Sequence, residues 1–307
     1  MKRIHQLSVC IFILAICACN DKPADHYASV PAFLTAHKAP VQTYTMNGNT
    51  GGNFTTPQGT IVTVPPNAFV TQSNTAVTGA VTIYFKDIYT KSEMVLSDMP
   101  TMLFGGAPLV SGGEFFIKAT SNNAAVQLAP GKKITVAQPN AVNDTANAMQ
   151  PFVIAPDSVM PNGDGWHNSA TDSINYVAGY YMFSLYQFTT PVDSGSWCNS
   201  DNSSYFSAYP ITTLTLQPDE AINTYHTQVF LLYTNLHSMV HVYDNGTNFP
   251  YYYAPQGLSC TVVATGVNNG ALYSAFVPIT IGMNQTVHFS LQQTTTSDFL
   301  TALDALN

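Results

Sequence analysis

His237 and His241 stand four residues apart, the histidine spacing with which a helix holds zinc in a protease. Ser238 occupies the place where that chemistry needs a glutamate base, and the run MVHVYD favours a strand, so zinc hydrolysis is set aside. Gly257-Leu258-Ser259-Cys260-Thr261 lacks the last glycine of a hydrolase nucleophile elbow and continues into LSCTVVA, which reads as core strand. No glycine-rich phosphate loop occurs, and beyond Arg3 the chain has no arginine, so phosphoryl transfer lacks its usual anion clamp. Asn199 and Asp201 could face a calcium ion, but one carboxylate is thin for that task and a side-chain-capped turn is the expected role. The residues therefore predict no enzyme, no cofactor and no metal site.

What remains is recognition by uncharged surfaces. All nine Lys and Arg precede Ile134, whereas eleven Asp and Glu lie between Asp144 and Asp304. Phosphate contacts depend on Lys and Arg, so nucleic acid and anionic lipid headgroups are excluded as partners of that half. Thirteen of the 17 tyrosines lie after Pro151, and Tyr251, Tyr252 and Tyr253 follow one another in NGTNFPYYYAPQG. In an extended run successive rings point to opposite faces, so at least one of the three is expected in solvent as a ligand contact. Tyrosine offers wide contact area at low entropic cost, which suits a neutral glycan or a neutral patch of a surface protein.

These residues need an address and a scaffold. Lys2 and Arg3 precede an apolar run from Leu7 to Ala18, 12 residues long against the ~20 that span a bilayer, as in a signal peptide. Ile16-Cys17-Ala18-Cys19 resembles the bacterial lipoprotein box, with an aliphatic residue three places before the cysteine and a small one directly before it. Cys17 does not fit, because Ile16 stands where a small residue is required. The resemblance implies cleavage after Ala18 and lipidation of Cys19, with palmitate-type chains as the membrane anchor. At about 0.8 kcal/mol per buried CH₂, two or three chains hold permanently. Asn20-Asp21-Lys22 is similar to the start of lipoproteins shown on the outer face of a Gram-negative outer membrane. The expected location is accordingly the outer membrane, facing the cell exterior.

Charged residues make up 8% of the chain against a usual ~25%, which leaves a surface of Asn, Thr, Ser, Gln and Tyr. Short runs rich in β-branched and aromatic residues, such as TIVTV, AVTIYF, GEFFIKA, TQVFLLY and QTVHFSL, alternate with Gly, Pro and Asn turns. This predicts an all-β chain with two consecutive β-sandwich domains and a short C-terminal helix, SDFLTALDAL, capped by Ser297. The expected divisions are a signal peptide at 1–18, the lipidated cysteine and a flexible tether at 19–41, a first sandwich at 42–140, a connection at 141–175 and a second sandwich at 176–307. Cys198 and Cys260 could form a disulfide worth ~4 kcal/mol in the chain-entropy account, or could be buried free thiols.

Within 42–140, GNFTTPQGTIVTVPPNAFV, GAVTIYFKD, PLVSGGEFFIKAT and LAPGKKITV resemble the β-sandwich domain shared by ankyrins and netrin receptors, in the form carried by bacterial surface lipoproteins. The shared features are Gly59, the turn Pro65 to Phe69 and the turn Ser111-Gly112-Gly113, all structural, so the resemblance implies a fold and no chemistry. Trp197-Cys198-Asn199-Ser200-Asp201 is similar to a Trp-x-Asn-Cys-Asp signature of the second domain of such lipoproteins, with Ser200 at the cysteine place. Some relatives of the sandwich cut themselves at His-Phe-Ser, the tripeptide found here at His288-Phe289-Ser290, but mid-strand and outside the matching block. Asp144-Thr145, Asp157-Ser158 and Asp172-Ser173, each followed by an aliphatic or small residue, resemble O-glycan acceptors of exported Gram-negative proteins, which makes Thr145, Ser158 and Ser173 candidate modification sites. The leading expectation is a non-enzymatic surface lipoprotein that binds or supports other components. The alternative is a glycan-capturing accessory lipoprotein that uses exposed tyrosines.

Overall fold

Period-two runs give each strand one apolar face, and two pairs of sheets close on those faces. The computed structural model describes residues 26–140, 148–154, 165–188, 194–221 and 224–307, so Cys19, Thr145 and Ser158 lie outside the described residues. One sheet of the first sandwich pairs Gln42–Asn47, Ala80–Ile88, Val110–Ser121, Ser196–Asn202, Gln150–Val153 and His167–Asn168 in that order. The facing sheet pairs Ser173–Val177, Tyr180–Leu185, Ile134–Pro139, Ile61–Val64 and Gly52–Thr55. Val62, Val64, Ile83, Phe85, Phe115, Ile117, Ile134, Val136, Phe183 and Leu185 fill the space between them.

The second sandwich sets Phe249–Pro255, Ile211–Pro218 and Gln285–Phe289 against a five-stranded sheet of Met239–Val242, Gln228–Tyr233, Ser259–Asn268, Ala271–Thr280 and Gln292–Gln293. Its core holds Leu214, Leu216, Val229, Leu231, Val262, Phe249 and Val287. The five-stranded sheet is covered on both faces. Val229 and Leu231 face the sandwich core, while Phe230, Leu232 and Val263 face a third core that lies between the sandwiches. Burial on both faces explains why VFLLY and CTVVA read as unbroken apolar runs rather than alternating ones.

Three short helices complete that third core. Helix α1 (Val30–His37) starts at Ser29, whose side chain accepts from the Ala32 amide, and buries Val30, Phe33 and Leu34. Helix α2 (Lys91–Ser97) carries a capping box between Thr90 and Glu93 and buries Met94 and Val95. Helix α3 (Thr296–Asp304) buries Phe299 and Leu303. Ile88, Leu109, Phe152 and Trp166 come to the same core from the first sandwich. Lys91 Nζ donates to the Tyr233 carbonyl at 2.9 Å, and Thr101 exchanges backbone and side-chain hydrogen bonds with Met239. The sandwiches are thus bonded to each other as well as packed.

Several expectations need correction. The strands from Gln150 to Asn202 belong to the first sandwich, where Tyr180–Leu185 pairs with Ile134–Pro139 and Ser196–Asn202 with Val110–Ser121, so the sheets divide after Asn202 and not at 176. In the stretch 19–41, the described part is a docked segment: Tyr27 bonds His37 and Thr296 through its hydroxyl, and α1 is packed. The cap of α3 is Thr295, which accepts from the Asp298 amide, not Ser297. Ser111-Gly112-Gly113 is a bulge inside a long strand rather than a turn. Cys198 and Cys260 are free thiols in different cores, and burial pushes both up in pKa, Cys260 to about 12. Reductant should therefore leave the Tm unchanged in a circular-dichroism melt, whereas a drop of several degrees would show a bond between them.

Candidate binding cleft

The triple-tyrosine strand is built differently from a plain alternating one. Thr212 pairs with Ala254 but Leu214 pairs with Tyr251, so the tyrosine strand carries one extra residue there. Such a bulge turns consecutive residues outward together. Tyr252 and Tyr253 are both exposed, at 63% and 42%, while Tyr251 is buried and its hydroxyl donates to the Gly106 carbonyl at 3.1 Å. The expectation of exposed rings is met by two of the three, and Tyr251 is a core residue.

A loop of the first sandwich faces this bulge. Leu103 and Ala107 close it with a hydrogen bond of 2.7 Å, and Gly105 and Gly106 take φ of +96° and +100°, a region that glycine enters without penalty. A β-carbon on Gly106 would lie 3.2 Å from Tyr253 Cδ2, so glycine also lets the ring sit against the backbone. Trp166 anchors the loop from behind: its amide donates to Met102, its carbonyl accepts from the Phe104 amide, and its indole Nε1 donates to Pro100 at 2.8 Å. Phe104 is left 60% exposed at the tip, stacked on His167 with centroids 5.0 Å apart.

Between the loop and the strand lies an open cleft of about 640 Å³, within the ~300–1,000 Å³ usual for ligand sites. Phe104, Tyr252 and Tyr253 are its exposed aromatics, with Tyr243, Asp244 and Asn245 on another wall. Among the described residues no Lys or Arg lines it. His241 sits at its base, stacked on Tyr243 at 4.4 Å and bonded through Nδ1 to Asp98 at 2.9 Å. This arrangement can stack on flat, weakly polar faces and offer amide and hydroxyl groups; it cannot clamp an anion.

The other sequence candidates fall elsewhere. His237 lies in the turn before Met239–Val242 and His241 within that strand, so the pair does not share the helix face that a zinc protease uses. Burial, with Lys91 nearby, lowers the His237 pKa. Among the described residues no group of three His, Cys, Asp or Glu is placed to hold a metal ion. Ser290 Oγ donates to the Asp219 carboxylate, not to His288, and Asp219 is held below the usual carboxylate range by Ser290 and then His288. Neither Phe289 nor Ser290 has positive φ, and Phe289 ends a regular strand paired with Ile211–Pro218. Ser173 opens a strand paired with Ser184, and Asp172 beside it is fixed by Ser169 Oγ at 2.7 Å and the Tyr186 amide at 2.9 Å.

Asn199 and Asp201 are not in a turn at all. Both are fully buried in Ser196–Asn202, with Asn199 directly opposite Glu114 and Asp201 opposite Ser111 across the bulge. Burial pushes the Glu114 and Asp201 carboxyls well above the usual range; Asp201 adds to the rise at Glu114, and Ser111 pulls Asp201 back. Glu114 and the Phe104 loop were missed by sequence reasoning, since a lone Glu in GEFFIKA and a Gly-Gly loop resemble any strand edge and turn. No protein-family model matches this chain, and no curated protein is significantly similar to it.

Proposed function

We propose that this chain is a non-enzymatic binding module, anchored at the outer membrane through lipid on Cys19, that captures a neutral glycan in the cleft between the Phe104 loop and the Tyr252-Tyr253 bulge. The observation that carries the reading is the cleft itself, in which exposed Phe104, Tyr252 and Tyr253 flank a space of about 640 Å³ without Lys or Arg. Sugar rings present flat CH faces that stack on aromatics, and their hydroxyls suit Asn245 and tyrosine hydroxyls. The similarity of the N-terminus to a lipoprotein box supports the address.

Full-length Cys19→Ser protein tests both parts. It should remain in detergent-free buffer while the parent partitions with membranes; partition unchanged by the substitution removes the anchor from the reading. Screened on neutral glycans, it should bind at least one, and Tyr252→Ala with Tyr253→Ala should weaken that binding tenfold or more, about 1.4 kcal/mol, with the Tm within a few degrees. Tyr251 is left in place, because its loss would open the core. Affinity that survives the double substitution places recognition elsewhere.

A further inference from the structure

The outer face of the first sheet holds a group that its sandwich does not explain. Phe115 and Cys198 point into the sandwich core, so their neighbours Glu114 and Asn199, directly opposite each other, point the other way, toward the helices and the second sandwich. Asp201 lies two residues beyond Asn199 on that face, and Ser111 faces Asp201 across the bulge. All four are fully buried, with no side-chain exposure to water.

Their polar atoms are largely without partners. Among the described residues, both oxygens of Glu114, both oxygens of Asp201 and Nδ2 of Asn199 lack a hydrogen bond of good geometry, although Ser111 lies close enough to Asp201 to draw its carboxyl down. Asn199 Nδ2 is a donor on the same sheet face as two carboxyl groups and bonds neither. Ser111 Oγ donates to Asn199 Oδ1 at 2.7 Å and accepts from the Gly113 amide at 3.0 Å. That leaves one lone pair free on Ser111 Oγ and one on Asn199 Oδ1. Lys86, whose charge acts on Glu114, donates from Nζ to Ser97 Oγ at 2.8 Å, and among the described residues neither carboxylate forms an ion pair. Bare carboxylates buried in pairs are costly unless they are protonated or a positive charge sits between them.

We propose that Glu114, Asp201, Asn199 Oδ1 and Ser111 Oγ form a buried site for a divalent hard cation of the calcium class. The donors are all oxygens, on the order of six if both carboxylates bind through two atoms, which is the ligand set that calcium takes and zinc does not. Cys198, the adjacent sulfur, faces the opposite side of the sheet and contributes nothing. The Ser111 amide also donates to the His237 carbonyl at 2.8 Å, so a cation here would lock the bulge at a point where the two sandwiches are bonded.

The test uses full-length protein in detergent, stripped with chelator and then given calcium. Millimolar calcium should raise the Tm by about 5 °C or more over the chelated protein, and Glu114→Gln and Asp201→Asn should each abolish that shift. Terbium should bind the parent with luminescence sensitised by Trp197, which lies two residues before Asn199 on the same strand face, and calcium should displace it. If the amide variants do not fold, calcium-displaceable terbium bound at one per parent chain still supports the site. An unchanged Tm, with no terbium retained by the parent, overturns it and leaves the two carboxyls protonated.

Discussion

Gly113→Ala should destabilise the protein by about 3–5 kcal/mol, enough to lower the Tm by roughly 10 °C or to send the chain into the insoluble fraction. Gly113 has φ of +133°, where an L side chain is strained whatever the space. The added β-carbon would also lie 2.3 Å from Tyr89 Cε1 and 2.9 Å from Gln138 Nε2. Tyr89 cannot step aside cheaply. Its hydroxyl bonds Thr60 Oγ1 at 2.6 Å, and Thr60 and Thr56 each donate to Asp87 Oδ2 at 2.6 Å. Tyr89 must therefore donate to Thr60, and its ring is fixed at both ends of a buried network. Gln138 is likewise held, donating to the Gly113 carbonyl at 2.7 Å and accepting from Ser200. Gly246→Ala is the control, since its β-carbon would meet nothing within 4 Å; there only the left-handed backbone costs, about 1 kcal/mol. Equal losses from the two substitutions would mean that the bulge yields easily and does not position Glu114.

The same bulge shows how far local pattern carries. Strands such as Ala80–Ile88 and Ser259–Asn268 were legible because β-branched and aromatic runs bounded by glycine leave few alternatives. Ser196–Asn202 was not, because Asn, Ser and Asp are turn formers on the local scale. Its register between Val110–Ser121 and Gln150–Val153 is a tertiary fact that overrides propensity. Helix α1 hid in a proline-bearing stretch, since Pro31 sits in the first helical turn where its missing N–H costs nothing. The division between sandwiches is hidden for a related reason: Gln150–Val153, His167–Asn168 and Ser173–Val177 are strands of the first sandwich, and no composition change near Asn202 marks the point where its sheets end. In the cleft, the exposed tyrosines were foreseeable from their run, but which rings are exposed depends on a one-residue register shift, and the opposite wall comes from a loop nearly 150 residues earlier.

Trp166→Ala should cost about 3–5 kcal/mol and should also abolish ligand capture in the cleft, although Trp166 itself lies behind the loop. The ring is 1% exposed and belongs to the core shared by both sandwiches, with Phe152, Leu109, Met239 and Phe230 in the same cluster. Its removal leaves a cavity in a close-packed cluster that neighbouring side chains fill only by moving strands. It also frees Pro100 from the indole N–H, while the backbone bonds from Trp166 to Met102 and Phe104 lose the side chain that fixes their position. Phe104 would then sample positions away from the Tyr252-Tyr253 bulge, so stacking on both sides of one ligand becomes rare. Trp166→Phe separates the two effects: it keeps most of the packing and loses the indole bond, so a cost of about 1–2 kcal/mol with binding largely retained is expected. Because the cluster spans the sandwiches, the alanine variant should still melt in one transition, moved as a whole. Two transitions with only one displaced would show that each sandwich folds alone, and capture at parental strength would show that the loop does not need Trp166 to face the tyrosines.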